Sequence, residues 1–471
     1  MAGIGFELRK IYGRKTLVSG IWGSIYATMT AVGPSVLVAV LILFLKYAMD
    51  RAGITELENR FFMSSFTYIF LVAVLISALF CTVLSRYVSD CVFSGDDKAL
   101  GASVFGVLTV TSVLSGSVML ALCIGMYHKS DVPPYFLILY YLLGILVANA
   151  YTIMTYVSAL KEYKEVTFSY FAGIILAAIV YVLAHNMWGM HTVVAAYLAL
   201  TCGYFLLNVM LVFWCVNAFG MPQEDLFGFL YYFVRFPRLF VSGFFYMLGL
   251  YSATILYWNS ADIREQVSIF RTAPTYDLAM FLAILVNMSA LVIFVVKVET
   301  AFFDKYVAYL SALNNGSYNR IRKEQESMTN SIRCQLFFVY EVQMIITVVL
   351  ICLANVFFPY LNISVQVLNL FMVLSMGVYT VFCMYFTMIF LYYFEDHTAA
   401  CIASCIFLGI TSMLAVIACR LGGAFYPLPL LGGGFCGWMS AFWLLRHRLW
   451  HLNSFLMCKG VQEPDRKGAL K

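Results

Sequence analysis

The sequence predicts an all-α polytopic integral membrane protein, with about twelve transmembrane helices in two six-helix lobes around a central cavity. Three observations carry this expectation. Of the 471 residues, 63% are hydrophobic and 11% charged, whereas ordinary soluble chains carry roughly 25% charged residues. Apolar runs of about 20 residues, the length that crosses a bilayer as helix, recur from residue 17 almost to residue 446. Finally, 22 of the 29 lysines and arginines fall on the segments that share a side with the amino terminus. That is the positive-inside pattern of a multi-pass protein in a cytoplasmic membrane with both termini in the cytoplasm.

Hydropathy places spans at 22–46, 64–84, 101–127, 135–160, 167–185, 192–216, 237–258, 276–296, 335–358, 365–394, 399–419 and 429–446. The basic segment FELRKIYGRK ahead of the first span has a signal-like flank. Its apolar run is too long for a cleaved signal and no small-residue site follows, so the span is expected to stay as an anchor. The tenth span is long enough to tilt or bend. An even division follows: residues 1–220 form one six-helix lobe, 221–236 a cytoplasmic linker containing GMPQEDLFGF, and 237–471 a second lobe. The second lobe includes a cytoplasmic amphipathic insertion at 299–333 and a tail at 447–471. Two halves of equal topology suggest a parallel repeat about a central path.

Pro34 is the one proline near the middle of a span. In a soluble helix interior it would cost about 3 kcal/mol or more. Neighbouring helices, water, or the hydroxyls of Thr28 and Thr30 can satisfy the freed carbonyl in a membrane. Gly33 and Pro34 are therefore candidates for a bend that shapes a pathway, against the plainer reading of a packing kink. The thirteen cysteines lie mostly inside spans and read as small hydrophobes. His397, Cys401 and Cys405 share a helical spacing of four, but without a fourth ligand they define no metal site, and no cofactor is expected. No HExxH, GxSxG or P-loop pattern occurs, so neither those hydrolytic chemistries nor Walker-type ATP hydrolysis is encoded. The net charge of +5 is an orientation signal and calls for no nucleic-acid partner.

Polar residues inside apolar runs supply the candidate pathway. Asn149 and Thr152 share a face of the fourth span with Thr155, Asn287 lies in the eighth, and Glu341 is expected about two turns into the ninth. Glu341 reads either as a cavity-facing carboxylate or as a structural partner of Arg333. Tyr156 belongs to a set with Tyr151, Tyr170, Tyr204, Tyr246 and Tyr251, whose aromatic faces and hydroxyls suit sugar rings. Tyr276 and Asp277 begin the eighth span as outer-gate or capping residues, with Thr275 as the expected cap. In the insertion, Phe302, Phe303, Tyr306, Val307 and Leu310 form an apolar stripe ahead of the basic Arg320, Arg322 and Lys323. This pattern suits an interfacial helix or partner docking.

Several longer stretches carry a family resemblance: MAGIGFELRK, Gly33-Pro34, SRYVSDCVFSGDDKAL, PRLFVSGFFYMLGL, FRTAPTYDLAMFL, VETAFFDKY and LYYFEDHTAA. Together they resemble the PelG family, the membrane component of Pel exopolysaccharide systems, over essentially the whole chain. The resemblance implies a relation to the twelve-helix multidrug, oligosaccharidyl-lipid and polysaccharide exporters. It also implies export of a partly de-N-acetylated, N-acetylgalactosamine-rich polymer across the cytoplasmic membrane, without enzymatic activity. The implied partners are a PelF-like cytoplasmic glycosyltransferase and PelD-like and PelE-like membrane subunits, the former a cyclic-di-GMP receptor. The chain departs from cation-coupled relatives in having no acid deep within its first six spans. Alternatives are a flippase for lipid-linked oligosaccharide and, further behind, a cation-coupled drug exporter.

Overall fold

A computed structural model describes residues 33–129, 132–160, 163–222, 225–294, 298, 300–315, 317–361 and 363–452. Its first half contains helices α1 (Gly33–Arg51), α2 (Glu56–Ser94), α3 (Asp97–Lys129), α4 (Pro134–Leu160), α5 (Tyr163–Asn186) and α6 (Thr192–Phe219). After a short helical turn at Tyr231–Arg235 come α7 (Pro237–Tyr257) and a hairpin of strands β1 (Glu265–Val267) and β2 (Phe270–Thr272). Helix α8 (Pro274–Asn287) continues as Ser289–Phe294, and then follow α9 (Thr300–Asn315), α10 (Tyr318–Tyr360), α11 (Val365–Tyr393), α12 (His397–Leu421) and α13 (Leu428–Trp450).

Eleven described helices, α2–α8 and α10–α13, are long and apolar enough to cross a membrane. They match the second to twelfth predicted spans one for one. Helix α1 covers the later part of the first; residues 22–32 and the basic flank before them lie outside the described residues. Boundaries follow local chemistry. Thr55 and Glu58 form a reciprocal capping box at α2, and Gly95 ends it with φ 72°, a left-handed cap that glycine adopts without steric cost. Pro237 and Pro274 open α7 and α8, where a missing N–H costs nothing.

Helix α10 departs most from expectation. Its 43 residues span roughly 64 Å at 1.5 Å per residue, about twice a hydrocarbon core. Residues 318–333, expected in an interfacial insertion, instead form the stalk of this helix. The apolar stripe of α9 is also partly withdrawn: Phe302 is 1% exposed and packs on Phe390 and Tyr393 with ring centroids at 5.0 and 5.2 Å. Tyr306 stacks on Phe302 at 5.5 Å, while Val307 stays exposed. The Phe303 side chain lies outside the described residues. Burying the aromatic rings against the end of α11 removes more apolar surface from water than an isolated interfacial stripe would.

Two hydrophobic cores organise the chain. One is built from α1–α6 and the other from α7–α13. Within the first, α1 packs on α5, α2 on α4, α3 on α4, α4 on α6 and α5 on α6. The second repeats this set: α7 on α12, α8 on α11, α10 on α11, α11 on α13 and α12 on α13. The neighbour pattern thus recurs after six spans, although the residues that create it do not.

Close crossings use small residues, as expected where lipid supplies little drive for helices to associate. Gly173 of α5 and Gly203 of α6 face each other so closely that a Cβ on either would lie 2.8 or 2.7 Å from the other's carbonyl oxygen. Gly203→Leu is expected to cost about 1–3 kcal/mol, read as a lower unfolding midpoint in detergent. Gly409→Leu, where nothing lies within 4 Å, should leave the midpoint unchanged; equal midpoints for both variants would contradict this packing.

Candidate functional site between the lobes

Helices α2 and α7 form the seam between the lobes. Gly243 has no side chain, so Thr82 can lie directly against it, and the Thr82 hydroxyl donates to the Leu239 carbonyl at 3.5 Å. From there the two helices run antiparallel to the hairpin, and the seam is bridged at both ends.

At the hairpin end, the connection after α7 reaches across to the first lobe. Ser268, with φ 57°, turns the hairpin so that Phe270 points away from its own lobe. Phe270 is fully buried and joins the first-lobe core beside Tyr68, Phe61 and Tyr140 at 5.0, 6.0 and 6.0 Å. The Tyr68 hydroxyl donates to the Arg271 carbonyl at 2.9 Å and accepts from its N–H at 3.2 Å. The Tyr68 ring stacks on Trp258 at 4.5 Å. Ser64 and Thr272 share a buried 3.1 Å hydrogen bond, and Arg60 pairs with Glu265 at 3.1 Å. Asp277 braces this end from below, accepting from the Trp258 indole at 3.1 Å and the Ala273 N–H at 3.1 Å. Ala273, rather than Thr275, occupies the capping position of α8. Tyr276 is buried edge-on against Tyr257 at 4.8 Å.

At the opposite end the contacts are mainly ionic. Arg86 of α2 pairs with Glu395 at 2.8 Å across the seam and with Asp90 of its own helix at 3.2 Å. Glu395 holds a left-handed backbone, φ 55°, which is uncommon for a residue with a side chain. Tyr232 donates to Asp90 at 3.3 Å. Burial, helped by the Asp90 carboxylate, pushes the Tyr232 hydroxyl up to about 12, so it remains a donor at neutral pH.

Between the ends, tyrosines of both lobes converge. Tyr151 neighbours Tyr170 and Tyr204 in the first lobe and Tyr251 in the second, and meets Phe70 at 6.1 Å. Tyr246 neighbours Tyr251, Tyr385 and Tyr392. Tyr151, Tyr251 and Tyr385 retain partial exposure. No acid is among these neighbours: of the carboxylates on the described spans, Asp277 sits in the first turn of α8 at the hairpin brace and Glu341 on the exposed face of α10.

The other sequence candidates are placed as follows. Tyr156 is buried and donates to Ser103 at 3.1 Å, away from the seam tyrosines. Thr152 is buried and bonds its own helix at Ala148. Asn149 donates to Ser112 at 2.8 Å. Asn287 is fully buried; it donates to Ser375 O at 3.0 Å and accepts from Thr347 and Gln343 at 3.1 and 3.3 Å, a satisfied network that joins three helices. Glu341 is exposed on α10, and Arg320, Arg322 and Lys323 are exposed on its stalk. Gly33 is the first described residue of α1; the Pro34 side chain and the residues before Gly33 lie outside the described residues. Among the described residues no group of three or more His, Cys, Asp or Glu could hold a metal ion. The hairpin is what sequence reasoning missed. EQVSIFRT is too short for a strand period, and the signal available was a pair of large aromatics, Trp258 and Phe270, in a connection that also carries Ile263, Val267 and Ile269.

Two lobes that repeat one packing order and meet at a bridged seam give the chain the fold of MOP-superfamily proteins. Solved structures agree: an outward-facing multidrug-resistance MATE family transporter matches with TM-score 0.64 at 12% identity, covering 92% of this chain and 96% of its own. A MOP-superfamily transporter from Pyrococcus furiosus, described as having a binding pocket of reverse polarity, matches with TM-score 0.64 at 12% identity, covering 91% and 96%. A Vibrio cholerae MATE transporter matches with TM-score 0.61 at 10% identity, covering 94% and 98%. No curated protein matches the sequence. The chain belongs to the PelG family, whose profile, described as "Putative exopolysaccharide Exporter (EPS-E)", matches residues 1–456.

Removing the ring that crosses the seam should loosen the hairpin end. With spin labels at Glu56→Cys and Glu265→Cys in a cysteine-free background, Phe270→Ala is expected to lengthen and broaden the distance distribution by several ångströms. An unchanged distribution would mean that the ring does not hold the lobes together.

Proposed function

We propose that the protein exports a nascent, Pel-type amino-sugar polymer across the cytoplasmic membrane, through the seam between its lobes. The observation that carries this reading is the facing of Tyr151 and Tyr251 with their tyrosine neighbours and no acid among them. Aromatic faces with hydroxyl handles suit sugar rings, and a lining without carboxylates lacks the charged site a cation-coupled drug exporter would use. The family description points to exopolysaccharide as cargo.

The lysine and arginine distribution supports both termini being cytoplasmic. The hairpin then closes the outer end and the Arg86–Glu395 pair the inner end, so passage requires each to open. On the cytoplasmic side, Gln325 ties the α10 stalk to the Leu449 carbonyl at 3.1 Å, and Arg320, Arg322 and Lys323 stay exposed beside the end of α13. That basic face suits a cytoplasmic glycosyltransferase handing over its product, with cyclic-di-GMP receptor and scaffold subunits in the same assembly.

Deletion should abolish secreted polymer while glycosyltransferase activity persists in detergent extracts; loss of that activity would make the chain a catalytic subunit. Tyr151→Ala and Tyr251→Ala are expected to lower secreted polymer at least tenfold at unchanged protein level. Secretion at the unaltered level in both would remove the tyrosine-lined path. Vectorial movement of a lipid-linked sugar in vesicles, without polymer, would favour a flippase.

A further inference from the structure

Helix α10 has two faces. Leu336, Val339, Tyr340, Gln343 and Thr347 are buried against the second lobe, while Phe337, Glu341, Ile345 and Val348 form an exposed stripe. A carboxylate on this outward stripe is anomalous because of its depth. Tyr340, one residue earlier, shares a 2.7 Å hydrogen bond with Thr387 and meets Trp438 at 5.1 Å. Thr387 stands nine residues from Asp396, and Trp438 ten residues from Arg448. Asp396 and Arg448 form the ion pair at the charged end of the bundle. Trp438 and Arg448 lie on one helix, so at 1.5 Å per residue Glu341 is roughly 15 Å beyond that charged end, well within a hydrocarbon layer about 30 Å thick.

Ionisable side chains at such depth are costly and almost always face a bundle interior or a partner. Glu341 has neither a hydrogen bond nor an ion pair among the described residues. Its own helix offers Arg333, two turns nearer the charged end and also exposed. The facing elements α11 and α13 present Thr387, Cys383 and Trp438 to neighbouring Tyr340, and no cation at this level. On the α8 side the stripe borders an open apolar groove lined by Val286, Ser289, Ile293 and Ile346. The surface therefore offers an apolar ridge, an adjoining groove and one negative charge.

We propose that this face is the docking surface for a transmembrane helix of a different membrane protein, one that places a lysine or arginine opposite Glu341. Charge complementarity selects this occupant. A second copy of the chain packed through the same face about a twofold axis would oppose two carboxylates, and lipid alone would leave the charge unpaired. Ile345 and Val348 supply the apolar contact, and the groove beside α8 receives side chains of the incoming helix, as close packing in membranes requires. The proposal stands apart from the export reading, since any cargo is compatible with it.

The test uses a photo-crosslinking amino acid at Ile345, with exposed Val416 of α12 as control, in native membranes of the cell that makes the protein. The expected product joins position 345 to a peptide from another protein's membrane span containing Lys or Arg. Its yield should fall at least fivefold in Glu341→Gln, and position 416 should give none. Purified Glu341→Leu should unfold at the same or a higher temperature than the unaltered chain, separating loss of docking from loss of folding. A Glu341→Lys variant that loses assembly should regain it when the identified partner base is changed to an acid. A crosslink between two copies, a crosslink within the chain, or a yield indifferent to Glu341 would overturn the proposal.

Discussion

Backbone amides in hydrocarbon have no water to bond, so each span must satisfy its own hydrogen bonds as a helix. From that constraint the rest follows. The lobes become bundles packed through close crossings such as Gly173 on Gly203 and through satisfied polar networks such as Asn287 with Gln343 and Thr347. Irregular backbone is left for the helix ends, and there the lobes are bridged. The hairpin sinks Phe270 into the opposite lobe at one end, and Arg86 meets Glu395 at the other.

The two closures differ in kind. The hairpin end combines the burial of Phe270 with a buried hydrogen bond between Ser64 and Thr272, and adds exposed hydrogen bonds between Tyr68 and Arg271. The ionic end sets partly exposed groups against one another, and such pairs contribute little when solvated. Opening the ionic end is accordingly the less costly step, and opening the hairpin end requires a phenylalanine to leave a core.

Much of the fold was legible in the sequence because hydropathy and the positive-inside bias are set by the bilayer itself. The spans emerged in order, with α10 and α2 merely longer than their apolar cores. The repeat was visible only as equal numbers of spans, since packing partners such as α2 on α4 and α8 on α11 are made by different side chains in each half. The site was less legible. Asn149, Thr152 and Asn287 read as pathway residues because polarity inside a span signals either glue or function; in three dimensions Asn287 joins three helices, Asn149 meets Ser112 of α3, and Thr152 bonds only its own helix. Tyr151 and Tyr251 were distinguishable from belt tyrosines only once the two lobes were brought together. Glu341, expected to face a cavity or to pair with Arg333, lies instead on the exposed face of α10, because its direction depends on which face of that helix the neighbouring helices cover.

The central claim is that cargo passes between the lobes and that the hairpin closes the way out. The Ser64 and Thr272 hydroxyls, 3.1 Å apart, mark a site for a reversible lock: Ser64→Cys with Thr272→Cys in a cysteine-free background should form a disulfide under oxidation. The account predicts that the oxidised double variant secretes no polymer and that a reductant restores secretion, with either single variant active throughout. Full secretion with the disulfide demonstrably formed would contradict it.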